Sequence, residues 1–270
     1  MTAETIRRRG TPAAGSRYGF RTVARMEWHK LRTVRSTWYI LAVFAASMTG
    51  LAVLVLSHEN YAQLPAAGRG SFDPVHDCFI GLVLGQLLTG VLGVLAITTE
   101  FSSGMIRATF AAVPGRPLVL AAKAAVLGAV TLAAGQVTAF AAFGAGQAAL
   151  QAPAPHATLG QPGVLRAVLV AGTYPALIAL LGLGAGAVIR HTAGAIFAMV
   201  GVLFVLPLLV ISPSLQNAAQ NFLPHPMVNA LTAVRPPGHL LPSGLVVGLL
   251  CGYALAALAA GAWTLTRHDA

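Results

Sequence analysis

The sequence predicts an all-α integral membrane protein of six transmembrane helices with both termini in the cytoplasm, an amphipathic N-terminal helix, and a short cytoplasmic helix between spans two and three. Three observations predict it. Only 9% of the 270 residues are charged and 56% are hydrophobic, whereas a soluble domain carries about 25% charged residues. Apolar stretches free of charge recur at the length of roughly 20 residues that a helix needs to cross the hydrocarbon core. The few Lys and Arg residues fall overwhelmingly on one side of those stretches. A chain this apolar is not disordered, and two cysteines do not make a disulfide scaffold.

Residues 1–17 (MTAETIRRRGTPAAGSR) read as a flexible basic tail. Residues 18–36 read as an amphipathic helix lying in the inner-leaflet interface. At 100° per residue, Phe20, Val23, Ala24, Trp28, Leu31, Val34 and Trp38 share an arc of about 140°. Arg21, Arg25, His29, Arg32 and Ser36 lie opposite, the pattern of a membrane-surface anchor. Glu27 interrupts the apolar arc, and Lys30, three residues on, is its expected partner. The six spans follow at about 37–56, 78–99, 118–147, 168–189, 194–211 and 243–266, within a membrane domain of residues 37–266, and residues 267–270 form a short cytoplasmic tail. Spans four and five are separated by Arg190, His191 and Thr192 alone. Pro175 and Pro207 are expected to kink them. Between spans five and six, Pro224-His225-Pro226 should break an outer segment in which Leu215, Ala219 and Phe222 form a turn-spaced apolar edge.

Orientation follows from the cations. Fourteen of the seventeen Lys and Arg residues fall on the side of the termini, nine of them before residue 36, and only Arg69, Arg166 and Arg235 fall on the other. Both termini are therefore expected inside. The net charge of +10 follows from this bias and from attraction to anionic lipids, not from nucleic-acid binding. The first apolar run begins too far from the start, and is too long, for a cleaved signal peptide.

The expected bilayer interior excludes several functions. No span carries Asp, Glu, Lys or Arg near its middle, and residues 124–165 contain none of them. Ion-coupled carriers, carboxylate-based intramembrane proteases and channels with acidic rings place such groups there. Neither lysine, Lys30 or Lys123, follows a glycine, so the chain has no G-x-x-x-x-G-K-[ST] nucleotide loop. The eight histidines and two cysteines show no zinc-ligand spacing, so no metal site is expected. Uncharged polar residues remain at mid-span: Gln86, Thr89, Gln136, Thr138, Thr173 and Tyr174. They suit either interhelical hydrogen bonds or the lining of a substrate pathway. Gly81–Gly85, Gly182–Gly186 and Gly248–Gly252 are spaced for close helix approach.

The connection between spans two and three is longer than a reversal needs. It reads Thr99-Glu100-Phe101-Ser102-Ser103-Gly104-Met105-Ile106-Arg107-Ala108-Thr109-Phe110, then Val113-Pro114-Gly115-Arg116-Pro117, with Lys123 at re-entry. Glu100-Phe101, Gly104-Met105-Ile106-Arg107, Arg116 and Lys123 resemble the E-(Y/F)-x-x-G-(T/M)-(I/L)-R coupling helix, with its following R…K, of type-2 ABC exporter membrane subunits, especially actinobacterial ones. The stretch Glu27-Trp28-His29-Lys30-Leu31-Arg32-Thr33-Val34-Arg35-Ser36-Thr37 resembles that family's elbow helix entering the first span, and the terminal Thr266-Arg267-His268-Asp269-Ala270 resembles its tails.

The resemblance implies a permease subunit in a bacterial plasma membrane. It would work with a second copy or a paralogue and with two copies of a separate ATP-binding subunit holding Mg-ATP, so this chain would hold no cofactor and catalyse nothing itself. Glu100, Phe101, Ser102, Gly104, Met105, Ile106 and Arg107 would dock on that ATPase. Arg190 and His191 would make a second, smaller contact, and Glu27, Trp28, Lys30, Leu31, Arg32 and Arg35 of the elbow would brace it. The segment between spans five and six resembles the family's short outer helices. Two other functions fit the architecture: a non-transporting sensor or assembly component that retains the ATPase contact, and a membrane enzyme acting on lipids. The enzyme would need a clustered Asp, His or Ser site, and the sequence has only dispersed histidines.

Overall fold

A computed structural model describes residues 19–58, 61–63, 65, 72–113, 115–210, 213–234 and 240–267. The basic tail expected at 1–17 and the last three residues lie outside these. Among the described residues there is no strand. Helix α1 (Phe20–Thr33) ends where Val34 adopts extended backbone, and α2 (Arg35–His58) starts at once. The corner is closed by Trp38, whose indole N–H donates to the Arg32 carbonyl at 3.1 Å.

A short helix, α3 (Pro74–Asp77), is capped by the Asp73 side chain, and α4 (Leu82–Ser102) follows. Gly104 then turns the chain at φ +70° into α5 (Met105–Ala112), and α6 (Arg116–Ala149) begins with a proline in its first turn. Helix α7 (Val164–Ile189) leads through Arg190 into α8 (Thr192–Leu209). Two short helices, α9 (Pro213–Phe222) and α10 (Pro224–Thr232), precede α11 (Ser243–Arg267).

Six of these helices, α2, α4, α6, α7, α8 and α11, are long and apolar enough to cross a membrane, with mean hydropathies of 1.9 to 2.3. The chain is thus built as a multi-pass membrane protein. The helices extend the expected spans by a few residues at most ends, except that α4 begins at Leu82, because residues 78–81 form a turn, and α8 ends at Leu209, short of the expected 211.

Each spanning helix reverses the one before, so the bundle has two ends. One end, here called the basic end, gathers α1, α5, the Arg190 turn and the end of α11. Arg116 donates to the Leu265 carbonyl and Arg190 to the Thr264 carbonyl, both at 2.8 Å. The opposite end gathers α3, α9 and α10. There Asp73 accepts from the Val234 N–H at 2.9 Å, and Arg166 donates to the Ala233 carbonyl and to Ser243.

Helices α4 and α7 form the interior, and glycine lets them touch. A Cβ on Gly93 would meet the Ala179 carbonyl oxygen at 2.0 Å, and one on Gly182 would meet that of Gly90 at 2.3 Å. Two of the three expected glycine pairs, Gly81–Gly85 and Gly182–Gly186, lie at such contacts. Gly248 and Gly252 on α11 face open space.

Both prolines lie inside spans that continue past them. Helix α7 continues through Pro175. In α8 the backbone becomes π-helical over Gly201–Val205, just before Pro207, with the Leu206 N–H bonded to the Gly201 carbonyl. Proline has no N–H for the Leu203 carbonyl and its ring crowds that oxygen. The wider turn relieves the conflict inside a span that stays helical.

Candidate functional site

The strongest concentration of chemistry lies at the basic end, where α1, α4, α5 and α6 meet. From the apolar arc of α1, Val23 turns inward and packs with Val113, Val119 and Ala122, from the end of α5 and the start of α6. Of the rest of the arc, Phe20, Trp28, Val34 and Trp38 remain exposed. The expected interruption, Glu27, is 3% exposed and points inward with Val23.

Glu27 belongs to a box of four charges. Lys30 donates to Glu27 Oε1 at 3.0 Å, as its spacing predicts, and also to Glu100 Oε1 at 3.0 Å. Lys123 donates to Glu100 Oε1 at 2.8 Å and to Glu27 Oε2. The Thr109 hydroxyl lies 3.4 Å from the Lys30 ammonium, so α5 joins through its side chain. Both lysines of the chain are used, and the box is neutral. Glu100 Oε2 is buried without a hydrogen-bond partner. Burial pushes the Lys30 ammonium down, but the carboxylates of Glu100 and Glu27 outweigh it and hold its pKa above the ordinary lysine value. A lone buried charge costs several kcal/mol, so the four residues make sense only together.

This places the sequence-derived candidates in two groups. Glu100 is 4% exposed and Ile106 is 3% exposed, and both face the bundle. Glu100 is therefore a positioning residue that fixes the end of α4, while Met105, at 48% exposed, and Arg107 and Ser102 face outward. Gly104 supplies the left-handed turn between the two helices, a conformation a Cβ disfavours by roughly 1–2 kcal/mol.

Phe101 faces Arg190, whose guanidinium carbon lies 5.5 Å from its ring centre, and Arg116 lies similarly over Phe110 at 5.4 Å. Arg190 itself sits at φ +60°, and His191 Nδ1 caps α8 by accepting from the Gly194 N–H at 3.3 Å. The α7–α8 turn and the α4–α5 turn are thus in contact, as two separate sequence signals did not reveal. On α1, Leu31 is half-buried, whereas Trp28 and Arg32 are exposed, as is Arg35 at the start of α2.

Several of the residues considered for a pathway make contacts between helices within the chain. The Tyr174 hydroxyl donates to Gln86 Oε1 at 2.6 Å, with the Pro224 carbonyl 3.0 Å away. Gln86 Nε2 is 2.6 Å from His225 Nδ1. Thr89 donates to the Gly85 carbonyl at 2.9 Å, and Thr138 is buried. Gln136 donates to the Leu169 carbonyl at 2.8 Å and to Thr173 at 3.1 Å. Of these six, Gln86, Thr89, Thr138 and Tyr174 have almost no surface. His225, on α10, is partly buried, and burial pushes its pKa below the ordinary histidine value.

Sequence reasoning also missed the Asp73–Val234 and His76–Thr232 ties, the latter at 2.6 Å, which fasten α10 to α3. Among the described residues no group of three or more His, Cys, Asp or Glu side chains converges as metal ligands would. No protein-family model matches the chain, and no curated protein matches its sequence.

Proposed function

We propose that this chain is the permease subunit of an ATP-driven exporter of the type-2 ABC class. It sits in a bacterial plasma membrane with its basic end in the cytoplasm, pairs with a second copy or a paralogue, and is driven by a separate subunit that binds Mg-ATP. Helix α1 is then the elbow and α5 the coupling helix. The observation that carries this reading is the mounting of α5. An eight-residue helix is held on its inner side by Ile106 and Thr109, offers Met105 and Arg107 outward, and shares one charge box with α1, α4 and α6.

A partner pushing on α5 moves three helices at once, because Thr109, Lys30, Glu100 and Lys123 are bonded in series. The contacts of Phe101 with Arg190, and of Arg190 with Thr264, extend the same base to α7 and α11. The missing charge in the expected membrane interior fits a protein whose energy comes from a partner.

The test is a reconstituted complex of the chain with its ATP-binding subunit. Gly104→Trp strains the α4–α5 turn by an amount corresponding to about tenfold in an equilibrium. We expect ATP hydrolysis to persist while export falls by about that factor. Wild-type export in both Gly104→Trp and Met105→Asp would refute the assignment of α5.

A further inference from the structure

We propose that a phospholipid of the leaflet adjoining the basic end binds in a cavity between α1, α2, α4 and α6, with its headgroup at Lys30 and Glu100. The cavity measures about 460 Å³, within the roughly 300–1,000 Å³ of ligand sites. Its character changes along its length. Lys30, Thr99 and Glu100 line one end, and Leu92, Leu95, Ala96 and Val126 line the rest. Leu92 and Glu100 are eight residues apart on one helix, or about 12 Å at 1.5 Å per residue. Over that depth the wall passes from ionic to aliphatic, as a bilayer does from headgroup to upper acyl chain. Val34, also in the lining, is 47% exposed at the edge of the cavity.

Two polar features select the headgroup. Lys30 keeps 26% of its side chain exposed while Lys123 is enclosed, so Lys30 is the member of the box that a phosphate oxygen reaches, in exchange for its long 3.4 Å contact with the Thr109 hydroxyl. Glu100 Oε2 is buried without a donor, and a buried acceptor left unpaired costs about 1–3 kcal/mol. Glu100 itself lines the cavity, so a ligand N–H or O–H seated beside it would supply the missing donor. A phosphate joined to such a donor within a few bonds describes an ethanolamine or glycerol headgroup. It does not describe choline, whose ammonium carries no N–H. The cavity is too small for a whole phospholipid, so it holds the headgroup region and the start of one acyl chain while the remainder stays in the bilayer. The site requires a membrane around the spans and is independent of any ATPase contact.

The experiment is native mass spectrometry of the full chain in mild detergent. It is combined with thermal unfolding after delipidation and addition of phosphatidylethanolamine or phosphatidylcholine vesicles. Wild type should retain phosphatidylethanolamine and gain melting temperature from it, but not from phosphatidylcholine. Ala96→Trp and Val126→Phe, which fill the cavity from two walls, should each lower retention by about tenfold. Equal retention in wild type and both variants means annular lipid only and overturns the proposal, as does equal stabilisation by phosphatidylcholine. If either variant does not fold, the other decides, and the two-lipid comparison on wild type stands by itself.

Discussion

Glu27 is a carboxylate in the middle of a helical arc otherwise made of Val, Ala, Trp and Leu, and Lys123, on α6, is what makes that position tolerable. Removing one partner from a buried ion pair costs about 3–5 kcal/mol, because the other charge is left behind, while removing both together is close to neutral. Lys123→Met should therefore destabilise the protein by about 3–5 kcal/mol, and Glu27→Met with Lys123→Met should recover most of that, since Lys30 and Glu100 remain as a neutral pair. Denaturant unfolding in detergent, followed by circular dichroism, measures both; a double variant no more stable than the single one would contradict the box.

His225 gives a second residue-scale expectation. Its folded pKa lies below the ordinary value, so the unfolded chain takes up the proton first. Its contribution to stability is complete above about pH 6.5 and is lost as the pH falls through the folded value. Melting temperatures at pH 8 and pH 5 should differ by less in His225→Gln than in wild type. The sequence marked Glu27 as an exception to its helix and gave its near partner, Lys30. It did not give Lys123 or Glu100, because helical periodicity reports which face a residue occupies and not which distant residue meets it. Glu100 looked like a surface group for the same reason: a carboxylate at a span end is solvated unless another helix brings a cation to it.

Among elements, α7 is central, and its seam with α4 depends on glycines that bring backbone against backbone. Gly182→Leu would place a side chain where the Gly90 carbonyl lies 2.3 Å from the Cβ position. The two helices would have to separate, and overpacking of this kind typically costs 1–3 kcal/mol, occasionally more. The variant should unfold at lower denaturant, whereas Gly252→Leu, facing open space, should match wild type; equal losses in both would contradict the seam. The spans themselves were legible because a charge in lipid is costly, so scarcity of charge marks each one. Their packing order was not. The glycine spacing of α7 and of α11 looks alike in sequence, yet only the first meets a neighbouring helix. The π-helical turn before Pro207 was also hidden, since a proline in a span announces a backbone conflict but not the way it is relieved.

At the scale of the whole molecule, the two ends are built differently. The opposite end is closed by short helices tied through Asp73, His76 and Arg166. The basic end instead mounts α5 on a rigid base while leaving its outer side bare. Helix α8 and the outer faces of α2 and α11 expose large apolar residues such as Phe197, Leu208, Tyr39 and Leu255, as helices meeting lipid or a second copy would. The sequence foresaw six spans, a helix before the first, and a short helix between the second and third. It did not reveal that ion pairs fasten the first addition to α4 and α6, or that Thr109 of the second joins them through Lys30.

On the proposed function, α5 receives force from an ATP-binding partner. A photo-reactive amino acid at Met105, in membranes where the chain is expressed with its ATP-binding subunit, tests it most directly. The account predicts an adduct with that subunit, reduced when Arg107 is changed to Glu and absent when the probe is moved to Leu208 at the far end of α8. No adduct from Met105, or export by the purified chain alone, would contradict it.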